Sequence, residues 1–492
     1  MRPRIVAGVV ACVLAALAWV TPQIRRTVLF DVTHWDAVPT EPAAFAGADG
    51  PPLPPVARTR VVVIDGLSAE VAATLPALSA LCARGVSATV DVGFPSVSLP
   101  VEVALWSGLT QQQTGVVNRY ERPLEPPLVG IPSQVAGSRA VAEDHGWIVR
   151  SLGFAEVEPA ADPRDHVKDA APDAWRKVWQ DHAVTAVASA ARLAFIHILR
   201  VDTAGHQHGG DSSAYRTAAK EADALLARLL AADPDARWFV VSDHGHLPRG
   251  GHGGEERAIR QVTGCVAGPG VTLGTGRRIH IVDLARAIAD STAVRLAPGA
   301  RGRPFAAALA TPIGLDDAVP AIALGPGAVG FLVLAAGIAL TAWAARRWWL
   351  APWWWLAACL ALVAIRGEPT LSAPFIYKPA GRDMYLVWLP MIAVAFGVTL
   401  LGIRRQPLVR VAIAQLALPI AAAATALTAS GAWPAVFGAE IAPVVPRFTA
   451  YASPLLLMAS HGAAAVALAA LAMLVRPAFG RPGSPAPPQT AP

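Results

Sequence analysis

Three stretches in the first half of this 492-residue chain place an acidic or imidazole side chain just after an apolar run. Val61-Val62-Val63-Ile64 leads into Asp65-Gly66. Ala194–Leu199 is followed by Asp202-Thr203-Ala204-Gly205-His206. Trp238-Phe239-Val240-Val241 leads into Ser242-Asp243-His244-Gly245, and His252-Gly253-Gly254 comes eight residues after His244. Short β-branched and aromatic runs read as buried strands, and α/β sheets gather their sites at strand carboxyl ends. Carboxylates and imidazoles collected there are the mixed oxygen and nitrogen donors that a pair of zinc-like ions takes. Asp243 and His244 are adjacent, so both can reach one ion where the chain leaves the sheet. Asp202 and His206 form a second pair in a glycine-containing turn, and His252 can close a shell from a Gly-rich loop. Singly, each has a plainer explanation: Asp65 as a turn cap, any one His as a satisfied core residue. Their joint occurrence at three strand ends favours metal. A hydroxyl nucleophile suits such a site. Ser96 and Ser98 in Phe94-Pro95-Ser96-Val97-Ser98-Leu99-Pro100 are candidates, as is Ser107 in Ala104-Leu105-Trp106-Ser107-Gly108.

The elements that must hold these motifs alternate. Strands are predicted at Arg60–Ile64, Ala194–Leu199 and Trp238–Ser242, and helices at Ala69–Arg84 and Ser212–Leu230. That alternation predicts an α/β domain, with a mainly parallel sheet flanked by helices. Between 118 and 190 the pattern predicts a helix near 133–145, a strand over Trp147–Leu152 and a helix near 174–192, read as an insertion framing the substrate.

Composition adds a membrane. The chain is 54% hydrophobic and only 15% charged, with mean hydropathy +0.44, more apolar than a water-soluble globule. The excess sits at the ends. Arg2 and Arg4 precede an apolar run from Ile5 to Val20, read as an uncleaved anchor rather than a signal peptide because no clean Ala-x-Ala site precedes Gln23. Five further apolar segments, about 322–344, 348–365, 384–403, 410–430 and 453–475, approach the ~20 residues that cross a bilayer. Arg346 and Arg347, then Arg404, Arg405 and Arg410, then Arg476 and Arg481 fall in alternate loops. The positive-inside rule puts these in the cytoplasm with Arg2 and Arg4, and region 25–320 outside. The division expected is an N-terminal membrane anchor or signal peptide at 1–24 and a Pro/Ala-rich linker at 25–57. An exported two-metal catalytic domain at 58–295 and a linker at 296–320 follow, then a membrane domain of about five helices at 321–476 and a disordered cytoplasmic tail at 477–492. The net charge of +6 reflects orientation signals and scattered arginines. Without a dense basic stripe, nucleic acid is not a partner. Cys82 and Cys265 are expected as two buried free thiols rather than a disulfide.

The ordered blocks Ile-Asp-Gly at 64–66, Phe94–Gly108, Asp202–His206 and Ser242–Gly254 resemble the alkaline phosphatase superfamily. Within it the chain resembles the type I phosphodiesterase/nucleotide pyrophosphatases and the glycosylphosphatidylinositol ethanolamine-phosphate transferases. The resemblance implies an alkaline-phosphatase-like sheet and two Zn2+, with Mn2+ the alternative. In the family the nucleophile lies ten residues before the Gly of a Leu-x-[Ser/Thr]-Gly element, and counting back from Gly108 selects Ser98. Carried over, one ion is held by Asp65, Ser98, Asp243 and His244, and the other by Asp202, His206 and His252. There are departures. Nucleotide pyrophosphatases carry an Asn three residues after the nucleophile, where this chain has Val101. Ser98-Leu99-Pro100 and Asp-Thr-Ala-Gly-His look more like the ethanolamine-phosphate transferases. Sulfatases need an Arg where Glu102 stands. His246 replaces a Met usual in the family; it and His208 sit beside ligands in sequence and are expected either to support the ligands from behind or to be exposed.

The resulting expectation is a multi-pass enzyme of the cell (inner) membrane with its catalytic domain on the periplasmic or extracellular side. It would transfer phosphoryl groups from a phosphodiester through Ser98, in the manner of a phosphoethanolamine transferase with a phospholipid donor. The alternatives are a phosphodiesterase/nucleotide pyrophosphatase hydrolase and, from another class, a catalytically inactive membrane scaffold or transporter. Intact ligand positions and the near absence of charge within the spans argue against the last.

Overall fold

The computed structural model of the protein describes residues 2–34, 39, 50–116, 123–159, 173–254, 256–311, 327–345, 382–404, 406–430 and 446–475. Eight strands form one sheet: β1 (Thr59–Ile64), β2 (Val86–Asp91), β3 (Arg139–Ala142), β4 (Glu156–Glu158), β5 (Leu193–Ile198), β6 (Arg237–Val241), β7 (Gln261–Ala267) and β8 (Gly274–His280). Their order is β4-β3-β5-β1-β6-β7-β2-β8. Every neighbouring pair is parallel except the two made by β7, which runs against β6 and β2. The mainly parallel sheet expected from the alternating pattern is present.

The three central strands are apolar on both faces because both faces are covered. Alternation sends Val61, Val63, Phe195, Phe239 and Val241 into one core with Leu105, Trp106, Leu284 and Ile288. It sends Val62, Ile64, Ile196, Ile198, Trp238 and Val240 into the other, with Leu78, Trp179, Tyr215 and Leu226. Full burial of each such side chain contributes about 1.5–3 kcal/mol. A one-residue slip would exchange the two sets, so register is strongly held. Val63 therefore lies beside both His197 and Val241, and β1, β5 and β6 end at one edge.

The helices on this sheet are α2 (Ala69–Ala72), α3 (Pro76–Ala83), α4 (Ser98–Ser107), α5 (Gln111–Thr114), α6 (Gly146–Ser151), α7 (Asp173–Ala188), α8 (Arg200–His208), α9 (Ser213–Ala232), α10 (Arg257–Arg260), α11 (Ile281–Thr292) and α12 (Phe305–Ala310), after α1 (Arg2–His34) at the N-terminus. The single helix expected over Ala69–Arg84 is two. Pro76 restarts the chain as the first residue of α3, and the Asp223 carboxylate accepts from Ala77 N and Leu78 N, both at 2.9 Å, as its cap. Two assignments in the insertion are corrected. The helix expected near 133–145 is a 3-10 turn at Pro132–Gln134 followed by β3, with Gly137 at φ +65° breaking helical continuity between them. The strand expected at Trp147–Leu152 is helix α6; tertiary packing of Trp147, Ile148 and Val149 into the first core overrides their strand propensity.

Beyond the sheet domain, α13 (Gly327–Ala345), α14 (Arg382–Ile403), α15 (Leu408–Ser430) and α16 (Pro446–Val475) take up four of the five apolar segments. The fifth, 348–365, lies outside the described residues. Arg4–Ile24 and Leu408–Thr425 are long and apolar enough to cross a bilayer. Helix α1 packs Ala7, Ala11 and Leu14 against Ala463, Val466, Ala467 and Ala470 of α16. Pro22 inside α1 has no N–H, which leaves the Ala18 carbonyl without its helical donor. Ser460 Oγ of α16 donates to that oxygen at 2.8 Å.

Cys82 and Cys265 are not free thiols. The C-terminal half of α3 lies against β7, bringing their Cα atoms to 5.0 Å, and the sulfurs are bonded across 183 residues of sequence. Reduction of the denatured protein should raise its count of reactive thiols by two. Replacing either cysteine by Ala should lower stability by about 2–5 kcal/mol in denaturant unfolding of the oxidised protein.

Candidate metal centre

The in-register ends of β1, β5 and β6 deliver Asp65, Asp202 and Asp243 to one edge of the sheet, all three buried. Asp65 leaves β1 at a turn closed by Gly66, whose φ is +74°. A Cβ on Gly66 would stand 2.8 Å from Asp202 Cα, so only glycine allows the two motifs to pass. Buried Tyr215 of α9 pins this turn: its hydroxyl donates to Gly66 O and accepts from Ser68 N at 2.8 Å. Burial pushes that hydroxyl up to about 12.

Two groups of side chains converge. In the first, His244 Nε2 lies 3.3 Å from Asp65 Oδ1 and 3.3 Å from Asp243 Oδ2. Ser98 Oγ, at the first residue of α4, lies 3.3 Å from His244 Nε2 and 3.5 Å from Asp65 Oδ1. In the second, His206 Nε2 lies 3.3 Å from Asp202 Oδ1 and 3.0 Å from His252 Nε2, and His252 Nε2 is 3.6 Å from Asp202 Oδ1. The structure thus brings Asp65, Ser98, Asp243 and His244 together in one group and Asp202, His206 and His252 together in the other. Ser96 and Ser107 do not join them. Ser96 Oγ donates to Gly254 O at 2.6 Å and Ser107 Oγ to Val103 O at 2.7 Å. The Ser96 backbone contributes instead, through its carbonyl 3.1 Å from His252 Nδ1 and a bridge to Gly253.

The electrostatics fit cations. Burial pushes the Asp243 carboxyl well up, and the nearby Asp65 charge pushes it further. Burial also raises Asp65 and Asp202, but the facing His197 and His244 imidazoles hold Asp65 below the usual carboxylate range, and His206 with His246 does the same for Asp202. Burial lowers His244, and the Asp243 and Asp65 charges reverse that to about 10. Burial, His244 and His206 push His252 well down. Among the described residues, Asp65 Oδ2 and Asp243 Oδ2 are buried yet have no hydrogen-bond partner. Crowded carboxylates that depend on neighbouring imidazoles for charge form a donor set that zinc-type ions suit.

His246 is buried beside the ligands. Its Nε2 lies 2.8 Å from Asp202 Oδ1, the oxygen shared by His206 and His252. A Cβ on Gly205 would stand 2.4 Å from the His246 ring, so the glycine of Asp-Thr-Ala-Gly-His makes room for this imidazole. His208 is exposed. Two more residues reach the site unannounced by the motifs. His197 of β5 stands 3.3 Å from Asp65 Oδ2 and 2.9 Å from Glu102 Oε1, with both side chains fully buried. The signals were a single polar residue in an otherwise apolar strand and a carboxylate one helical turn after Ser98.

The fold and site define an α/β protein whose mainly parallel sheet carries two carboxylate–imidazole donor groups at the carboxyl ends of its central strands. Residues 59–254 match the family model described as type I phosphodiesterase / nucleotide pyrophosphatase, and that stretch holds all four motif blocks. Among solved structures, the chain is similar to murine ectonucleotide pyrophosphatase / phosphodiesterase 5 at 11% identity, covering 49% of this chain and 96% of that one, with a TM-score of 0.37. It is similar to a 2-O GAG sulfatase at 18% identity, 51% and 74% coverage, and a TM-score of 0.39. It is also similar to a Vibrio parahaemolyticus protein in the alkaline phosphatase superfamily at 14% identity, 60% and 80% coverage, and a TM-score of 0.38. No curated protein matches the chain.

His246→Ala should weaken zinc binding about 10–100-fold, with little change in thermal unfolding of the metal-free protein. Competition with a chromophoric chelator measures the affinity. Unchanged affinity would make His246 a packing residue only.

Proposed function

We propose that this protein is a membrane-bound, metal-dependent phosphoryl-transfer enzyme that acts on phosphodiesters outside the cytoplasm through Ser98. The observation that carries the reading is the position of Ser98 Oγ, at the N-terminus of α4 and within 3.5 Å of both Asp65 and His244. Asp65, Asp243 and His244 with Ser98 would hold one zinc-type ion, and Asp202, His206 and His252 a second. When bound, such ions stabilise the charge developing on a transferring phosphoryl group and favour the serine alkoxide. The residues supply placement. The α4 N-terminus directs Ser98 Oγ at the site, and His252 is held by the Ser96 carbonyl. Ser98 Oγ forms its bond to phosphorus as the bond to the leaving oxygen breaks. The serine proton is lost to solvent and the leaving oxygen takes one up. An acceptor hydroxyl or water then displaces the serine, restoring it.

Two features support a transferase with a lipid donor. Val101, where nucleotide-cleaving relatives have an Asn, is buried and apolar and cannot donate to a phosphate oxygen. The chain carries apolar helices beside its catalytic domain, a surface that acyl chains would use. Helix α1 packs along α16 with Ser460 bonded to Ala18, which supports an anchor retained as part of a bundle. The Cys82–Cys265 disulfide and the arginine-rich alternate loops support an exported domain. The family match to phosphodiesterases and pyrophosphatases favours a second reading, in which water is the acceptor and a nucleotide the substrate.

Ser98→Ala should lower kcat on an aryl phosphodiester by several orders of magnitude while zinc content stays within twofold. Ser96→Ala should be far milder. Reversed effects would move the nucleophile to Ser96. In detergent, the full-length enzyme should turn over phosphatidylethanolamine faster than ATP. Rapid ATP hydrolysis with no reaction on phosphatidylethanolamine would select the nucleotide reading.

A further inference from the structure

We propose that Glu143 is a positioning residue for the second ligand group, fixing the first turn of α8 and with it Asp202 and His206. The proposal rests on the two-ion reading above, since the placement matters only if these side chains hold an ion. Glu143 is the first residue after β3, and its N–H donates to His197 O of β5 at 2.9 Å. Parallel pairing sets Ala142 beside His197. Glu143 therefore stands at the sheet edge from which α8 starts.

That start lacks a cap of its own. β5 ends at Ile198 and α8 opens at Arg200, with only Leu199 between them. Leu199 has no polar side chain, and the first turn of a helix leaves N–H groups without intrahelical partners. Glu143 Oε2 accepts from Leu199 N and Arg200 N, each at 3.0 Å. Its other oxygen takes the Arg200 guanidinium in a fork, 2.8 Å from Nε and 2.7 Å from Nη2. One carboxylate thus holds both the backbone and the side chain of the same residue. Arg200 is held further by Glu221 of α9, 2.9 Å from Nη1, and by the buried Trp179 ring, 5.6 Å from its guanidinium carbon.

Ligand placement depends on this bond set because α8 cannot hold itself. It has nine residues, too few for a stable isolated helix, and Gly205 within it weakens it further. Beyond its far end, Gly210 N donates to Leu247 O at 2.9 Å, in the loop that carries His246 and His252. Asp202 and His206 lie between these two anchors. The first group does not use α8: Asp65, Ser98, Asp243 and His244 come from the end of β1, from α4 and from the end of β6.

The test is the zinc affinity of the full-length protein in detergent, titrated against a chromophoric chelator. The unmodified protein should bind two equivalents. Glu143→Ala should weaken one of them about 100-fold and Glu143→Gln about tenfold, the range for residues that orient ligands. The glutamine matches the side chain in size and keeps an acceptor for the two N–H groups, so it carries the test if the alanine variant does not fold. In a His206→Ala background, which disables the second group, adding Glu143→Gln should leave the remaining equivalent within about twofold, since separate sites act independently. In Glu143→Gln alone, two unchanged equivalents, or equal weakening of both, would overturn the positioning role and leave the two-ion reading standing. Fewer than two equivalents in the unmodified protein would overturn both.

Discussion

Three buried carboxylates at one sheet edge are the constraint on which the structure turns. Asp65, Asp202 and Asp243 arrive together because β1, β5 and β6 are parallel, adjacent and in register. That register is enforced by apolar alternation into two cores, far stronger than any polar contact at the edge. The core therefore accumulates like charges that would otherwise repel. Imidazoles from α8 and the loop after β6 approach each of them. The arrangement is coherent if cations complete it, and the proposed function follows from that requirement.

Close approach sets the second condition. Gly66 lets the Asp65 turn pass within van der Waals reach of the Asp202 backbone, and Gly205 leaves space for His246. These glycines belong to the same short motifs as the ligands, so each motif carries a donor together with the absence of a side chain that would block its neighbour. Tyr215 and the Ser96 carbonyl then fix what the glycines leave free. Supports of this kind restrict ligand motion and determine how tightly an ion is held.

The N-terminal and C-terminal apolar helices follow a different logic. Where Pro22 removes a helical donor, the orphaned Ala18 carbonyl is met by Ser460 from the far end of the chain. In an apolar surrounding an unmet carbonyl is costly, so this one bond links the first helix to the last. It also joins α1 to α16 within one packed helix group.

The sequence alone determined the three central strands, the α/β class and the convergence of Asp65, Asp202, His206, Asp243, His244 and His252, because apolar runs ending in charge have few other uses. The choice of Ser98 came from counting along a resembling motif, and the structure sets its hydroxyl beside Asp65 and His244. Local pattern misread α6, β3 and the break at Pro76, where packing and a single imino acid outweighed propensity. It also took Cys82 and Cys265 for free thiols, since residues 183 positions apart reveal their proximity only when α3 docks on β7. Only tertiary structure brought Glu102 and His197 under Asp65 and turned His246 inward. Each contact joins elements distant in sequence, and no spacing rule connects a helix face to the neighbouring strand of a sheet.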